Sequence, residues 1–236
     1  MSMRGIAILN GDRGEYPKLG IFPVQRGDCA MDSQARLDLP IAKQIDCYSE
    51  TLAPLREAVR RYLEQPSVVA NDGTIQIGHR PWVAEFNYMF SLYPGIESAI
   101  FERYARGFRI EIPEMYANVL RELNGAFCFG MYLCGVPRSM LGIPPLLDRS
   151  IPQCHDLATA ASLWAAEYRV PAGMFHFGGR HYSFRENVGY FIDKNDRILC
   201  VKTRGKVVGE WTNFSRFLQD ELIASEELEQ KRHPQP

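Results

Sequence analysis

This sequence of 236 residues lacks the features that would tie it to a membrane or to nucleic acid. No apolar run approaches the roughly 20 residues that a membrane-spanning helix needs. The amino terminus has a short apolar stretch followed early by Asp12, which is not the form of a secretory signal. The net charge is only -1, so no overall field attracts nucleic acid or an anionic membrane. We therefore expect a cytoplasmic protein without a membrane or nucleic-acid partner.

Catalytic signatures are missing as well. The sequence has no G-x-S-x-G elbow, no phosphate-binding P-loop, no dinucleotide-binding G-x-G-x-x-G and no H-E-x-x-H. Asp193 and Glu210 would act as an acid and a base only if the fold brought them together, and nothing in the sequence fixes their separation. We predict a protein that is not an enzyme and that uses no cofactor and no metal.

Paired cysteines are a third absence. The six cysteines occupy positions 29, 47, 128, 134, 154 and 200, without any C-x-x-C spacing. Cys128 and Cys134 fall on one predicted strand, where six residue steps separate them by roughly 20 Å, too far for a disulfide or a shared metal. We expect reduced thiols that are mostly buried.

The clearest pattern in the chain is a helix that stops sharply and leads into a strand, from Ile110 to Leu133. One apolar stripe at helical spacing is formed by Ile112, Tyr116, Val119, Leu120 and Leu123. Pro113 suits the first turn, and Asn124-Gly125 is typical of a helix end. The apolar run from Ala126 to Leu133 has no helical period and predicts a single buried strand.

The sequence of this stretch resembles the signature of the SUKH superfamily. The residues from Ile112 to Ala126 read Ile-Pro-Glu-Met-Tyr-Ala-Asn-Val-Leu-Arg-Glu-Leu-Asn-Gly-Ala, where the family carries a second glycine in place of Ala126. Further motifs follow in the family's order: Gly178-Gly179, Gly189 to Asp193, and Trp211 to Phe214. The resemblance covers roughly residues 92 to 228.

Pattern and resemblance together predict an α+β fold, an antiparallel or mixed sheet meander backed by helices, with an N-terminal α/β extension. The expected organisation is an extension of unknown role (1–91), a SUKH-like domain (92–228) and a polar, frayed tail (229–236). Short strands are predicted at Met174 to Phe177, Arg180 to Phe184, Gly189 to Asp193, Ile198 to Lys202 and Lys206 to Trp211.

In the extension, Leu52 to Tyr62 has the pattern of a helix, and Asn71-Asp72-Gly73 predicts a hairpin turn. The aromatic segment from Trp82 to Phe90 has no secure place. Whether these residues pack on the main domain or form a small one stays open.

An antiparallel sheet backed on one side presents its other face to water or to a partner. The residues predicted to face outward, and therefore to bind a partner, are Arg180, Tyr182, Arg185, Asp193, Lys202 and Glu210. Tyr and Arg are common anchors of protein interfaces. The alternative is a merely solvated sheet face.

Two histidines leave a metal site as an alternative. If Gly178-Gly179 is a hairpin turn, His176 and His181 lie opposite each other with Cβ atoms roughly 5 Å apart. Cys154 and His155 are candidates for further ligands, although zinc needs three or four that converge.

The resemblance implies an immunity protein that binds and neutralises a cognate toxin domain of a bacterial polymorphic toxin system. Two alternatives remain: an intracellular regulatory scaffold of the same superfamily, and a metal-dependent hydrolase using His176 and His181. The identity of the toxin and the oligomeric state stay open.

Overall fold

The computed structural model describes residues 39–141, 153–181 and 187–234, and every structural statement below concerns those residues. Their strands form one nine-stranded antiparallel sheet in which each strand pairs with the next along the chain. Six α-helices accompany the sheet. The expected α+β fold, a meander backed by helices, is confirmed.

The strands are β1 (Ser67–Val69), β2 (Ile75–His79), β3 (Tyr88–Pro94), β4 (Leu123–Cys128), β5 (Met131–Leu133), β6 (Phe175–Arg180), β7 (Val188–Ile192), β8 (Ile198–Lys202) and β9 (Lys206–Trp211). The predicted hairpin around Asp72-Gly73 joins β1 to β2, and Gly73 has the positive φ of 83° that such a turn requires.

The helices are α1 (Ile41–Asp46), α2 (Ala53–Arg60), α3 (Ser98–Phe108), α4 (Glu114–Glu122), α5 (Leu157–Ser162) and α6 (Phe214–Arg232). Short 3-10 turns occupy Glu50–Leu52, Arg138–Leu141 and Trp164–Tyr168. None of the helices in the described part of the chain is both long and apolar enough to cross a bilayer.

The stretch from Pro113 to Leu133 differs from its prediction in two ways. Helix α4 ends at Glu122 and passes directly into β4, so Asn124-Gly125 lies inside a strand, where Gly125 takes a φ of 89°. The predicted single strand is a hairpin, because the chain reverses at Phe129-Gly130 between β4 and β5. Cys128 and Cys134 therefore do not share a strand.

Gly178-Gly179 is not a hairpin turn. Both glycines lie inside β6, where they pair with Tyr190 and Gly189 of β7. A Cβ on Gly178 would stand 2.4 Å from the carbonyl oxygen of Tyr132 on the neighbouring β5. The glycines are there because the strands approach too closely for a side chain, which a sequence pattern cannot distinguish from a turn.

The main hydrophobic core lies chiefly on the face of the sheet that helices α2, α4 and α6 cover. Its fully buried residues include Leu55, Tyr116 and Phe217 from the helices, and Phe90 and Tyr190 from the strands. A second, smaller cluster on the opposite face consists of Tyr168, Phe191, Leu199 and Val201. Helices and turns therefore cover parts of both faces, and the expectation of an uncovered outer face is wrong at β7 and β8.

Residues 39–91 pack on the rest of the chain as part of the same sheet and core. The proposed boundary at residue 91 falls within β3, which pairs with β2 on one side and β4 on the other. At the other end, α6 continues to Arg232, so the stretch from Glu226 to Arg232 is helical and not a frayed tail.

Candidate partner-binding surface

The six residues predicted to bind a partner differ in their exposure to solvent. Lys202 and Glu210 are exposed, as expected of a contact surface, and their role in binding stays a prediction. Arg180 and Asp193 are largely buried, and their predicted outward orientation is wrong. Tyr182 and Arg185 lie outside the described residues.

Arg180 faces the core because of its register. It stands in line with Met131 of β5 and Val188 of β7, both of which belong to the main core. Its Nη1 lies 3.1 Å from Oε2 of Glu221 on α6, which also accepts a hydrogen bond from the Tyr190 hydroxyl. The pair ties the sheet to α6 and is not available to a partner.

Asp193 stabilises the turn between β7 and β8. Its Oδ1 accepts hydrogen bonds from the backbone N–H groups of Asn195 (2.9 Å) and Arg197 (3.0 Å). Burial opposes its charge, but these bonds and the Arg197 guanidinium outweigh burial and lower the pKa of Asp193. Arg197 also donates to Glu210 at 2.9 Å. A guanidinium thus joins the two carboxylates that were considered as an acid and base.

The predicted opposition of His176 and His181 is wrong, because β6 carries His176 straight through the glycine pair and His181 follows its last residue. His176 is fully buried, with Nδ1 3.0 Å from the carbonyl oxygen of Ala160 and Nε2 2.8 Å from that of Gly178. His181 is exposed and stacks on Tyr132, and His155 meets the same tyrosine edge-on. No three His, Cys, Asp or Glu side chains of the described residues are placed to hold a metal ion. The opposed pair of His176 and His181 that the hydrolase alternative assumed is not formed.

The surface that sequence reasoning missed is the loop from Arg80 to Asn87, between β2 and β3. It presents two large apolar side chains to solvent, Trp82 (46% exposed) and Phe86 (56% exposed). The aromatic segment was visible in the sequence, but no period told which of its rings point inward. The register now does so: Phe90 enters the core, while Trp82 and Phe86 precede β3 and point away from it.

Backbone hydrogen bonds give this aromatic loop a defined shape. Arg80 and Asn87 close its base, with the Arg80 N–H donating to the Asn87 carbonyl at 2.7 Å. Within it, the N–H groups of Val83 and Ala84 both donate to the Arg80 carbonyl, and that of Asn87 to Ala84. His79 adds a contact from its ring Nε2 to the Glu85 carbonyl at 2.8 Å.

Arg80 also anchors the loop to the end of α6. Its Nε donates to Asn87 Oδ1 at 2.9 Å, and its Nη1 forms an ion pair with Glu229. Both side chains are about nine-tenths buried, at 6% and 10% exposure. A buried guanidinium is costly unless it is paired, so its presence here fixes the geometry of both elements.

A cleft opens beside the aromatic loop. It has a volume of about 380 Å³ and is lined by Tyr62, Arg80, Met89, Phe129, Glu226, Glu229, Gln230, His233 and Pro234. Arg80 is the first residue of the loop and Met89 follows its last residue by two positions, so the cleft lies beside the base of the loop.

Comparison of the sequence with protein-family models and with curated proteins found no match to either. The resemblance to the SUKH superfamily therefore rests on the ordered motifs alone and stays a prediction.

Proposed function

We propose that this protein is a non-enzymatic, cytoplasmic protein-binding module that neutralises a bacterial toxin domain, in the manner of a SUKH-like immunity protein. The observation that carries the proposal is the aromatic loop, Arg80 to Asn87. Exposed Trp and Phe side chains contribute binding free energy when a partner buries them. Trp is among the residues most enriched at binding hot spots.

The anchoring of the loop supports binding over incidental exposure. Ordering a loop on association costs free energy that a loop already held in shape does not lose. The internal hydrogen bonds and the Arg80–Glu229 pair hold the backbone before any partner arrives. An exposed tryptophan on an ordered loop is therefore suited to tight and specific contact.

The resemblance gives the class of partner. SUKH-like proteins include cytoplasmic antidotes of toxins delivered between bacteria, and an antidote acts by covering the toxin's active site. The ordered motifs from Pro113 to Phe214 support that class, and the confirmed α+β fold agrees with it.

The test is coexpression of this chain with the toxin domain encoded beside it, followed by measurement of the complex and of cell survival. We expect a stable complex and survival, and we expect Trp82→Ala with Phe86→Ala to raise the dissociation constant at least about 30-fold, the size of one hot spot. Melting temperatures should hardly change, because both rings are half exposed.

Leu163→Ala is the matched control. Leu163 is the most exposed large apolar side chain in the described residues, at 67%, and it follows α5, which packs on β6, four strands away from β2. Four strand spacings are roughly 19 Å. Absence of any complex would contradict the proposed function, and an equal loss from Leu163→Ala would remove the loop from it.

A further inference from the structure

The cleft beside the aromatic loop has apolar walls made largely of rings. Tyr62 and Phe129 meet edge-to-face with ring centroids 5.6 Å apart, and Phe90 supports Phe129 from the core at 4.8 Å. Met89 adds a flexible, polarisable thioether. Such walls favour a flat, apolar body over a hydrated one.

The charged groups of the cleft are already paired with one another. Glu229 is bound by Arg80, and Glu226 accepts from both Arg61 and the Tyr62 hydroxyl. A net-charged occupant would bring an excess charge into this half-closed site or separate an existing pair, and both are costly. The cleft therefore favours an uncharged occupant.

Polar edges remain available to an occupant that is uncharged. Nε and Nη1 of Arg80 are bonded to Asn87 and Glu229, whereas Nη2 has no hydrogen-bond partner among the described residues. The Gln230 amide, which contacts the Tyr62 hydroxyl, and the His233 ring, whose Nε2 lies 3.9 Å from Glu229 Oε1, also line the cleft. An occupant that carries one hydrogen-bonding group on an aromatic body matches both the walls and these edges.

We propose that the cleft receives one tyrosine or tryptophan side chain of the protein that docks on the aromatic loop. This inference rests on the proposed function and names the chemistry of the contact. A volume of about 380 Å³ is enough to admit one large side chain. Arg80, the first residue of the loop, lines the cleft and lies two residues before Trp82, so a partner that covers Trp82 lies within reach of the cleft.

The test uses N-acetyl-tyrosinamide as the probe, titrated into the full chain and followed by NMR at the Met89 methyl group. We expect saturable shifts at millimolar probe, and binding at least fivefold weaker for the blocked amides of arginine and aspartate. Equal or tighter binding of either charged probe would overturn the proposal, as would the absence of any shift.

Filling the cleft supplies the matched pair of variants. Gln230→Trp should occupy the cleft and weaken probe binding at least tenfold, whereas Glu227→Trp, an exposed position on the same helix that does not line the cleft, should leave it unchanged. Pro234→Trp fills the cleft from its other rim and replaces Gln230→Trp if that variant melts early. Equal effects of the Glu227 and Gln230 variants would overturn the proposal.

The two proposals fail separately. If the toxin complex forms and Gln230→Trp does not weaken it, the cleft is not part of the interface and the antidote function stands. If the probe binds but no complex with the neighbouring toxin forms, the antidote function fails and the aromatic pocket has another occupant.

Discussion

His176 is held between two carbonyl oxygens in the interior, stacked on Phe191 at 4.5 Å and touched edge-on by Tyr168. A neutral imidazole donates only one hydrogen bond, so the charged form would satisfy both carbonyls. Burial outweighs that gain and, with His181 nearby, lowers the pKa of His176 to about 4.

This pKa makes stability depend on pH in a defined window. Between about pH 6.5 and pH 4 the unfolded chain binds a proton at this position and the native state does not, so stability falls as the pH falls. The loss reaches about 3 kcal/mol by pH 4. We expect the gap in unfolding free energy between wild type and His176→Phe, measured with denaturant, to narrow by about that amount from pH 7 to pH 4.

The control is Lys202→Gln, an exposed charged position whose curve should run parallel to that of the wild type. Burial and the nearby His181 also lower the pKa of His155 to about 4. Because His155 is present in every variant, the unfolding free energy of each variant still falls to some extent as the pH falls. Parallel curves for wild type and His176→Phe would show that the imidazole is not the source of the pH dependence.

Among the single elements, strand β6 differs most clearly from its prediction, because Gly178-Gly179 lies inside the strand and not in a turn. Substitution of Gly178 tests whether the close approach of β5 is the reason. Gly178→Ala would place a methyl group 2.4 Å from the Tyr132 carbonyl oxygen, which requires backbone movement. We expect a loss of more than about 2 kcal/mol in unfolding free energy, measured by denaturant titration.

Gly107→Ala is the opposite case on α3. No heavy atom outside its own stretch of helix lies within 4 Å of the added Cβ, so the substitution should stabilise the protein by about 0.5 to 1 kcal/mol. If Gly178→Ala behaved like Gly107→Ala, the close approach of β5 and β6 would not explain the glycine.

Elements whose signal is local were predictable from the sequence. The apolar stripe of α4 and the Asp72-Gly73 turn depend on neighbours within a few residues, and both elements are present. Gly178-Gly179 and Arg180 depend on which strand lies beside them, and that information is not in the local pattern. The candidate surface was missed for the same reason. Arg80 pairs with Glu229, which lies 149 residues further along the chain.

The contact between the aromatic loop and α6 gives a second prediction at this scale. Arg80→Gln removes the guanidinium from the buried Glu229 and leaves only the His233 ring, 3.9 Å away, beside that carboxylate. Loss of a buried ion pair costs about 3 to 5 kcal/mol. The loop should also lose its anchor, so hydrogen exchange at the Val83, Ala84 and Asn87 amides should accelerate more than at β8.

Arg61→Gln is the exposed counterpart of that substitution. Arg61 is 52% exposed and pairs with Glu226, which keeps its bond from Tyr62, so we expect a change below about 1 kcal/mol. Equal costs for the two substitutions would mean that the buried pair does not anchor the loop.

At the scale of the whole described chain, the nine strands form one sheet, and one main core extends from Ile45 to Leu222. Strand β3 joins the part before residue 92 to the part after it, and α2 packs against α6 from the far end of the chain. A chain connected in this way should unfold as one cooperative unit.

We predict that a destabilising substitution in α6 lowers the free energy of opening by the same amount in β2, near the other end of the described chain. Phe217 of α6 is fully buried against Phe177 and Tyr190, so Phe217→Leu should cost about 1 to 2 kcal/mol. Native-state hydrogen exchange should show the same loss at the Ile77 amide in β2, because that amide exchanges only when the shared core opens. Ile223→Ala, on the exposed side of the same helix, should change neither value. If Ile77 kept its wild-type exchange while the amides of β8 lost protection, residues 39–91 would be a separate folding unit, and the aromatic loop would belong to that unit and not to the rest of the sheet.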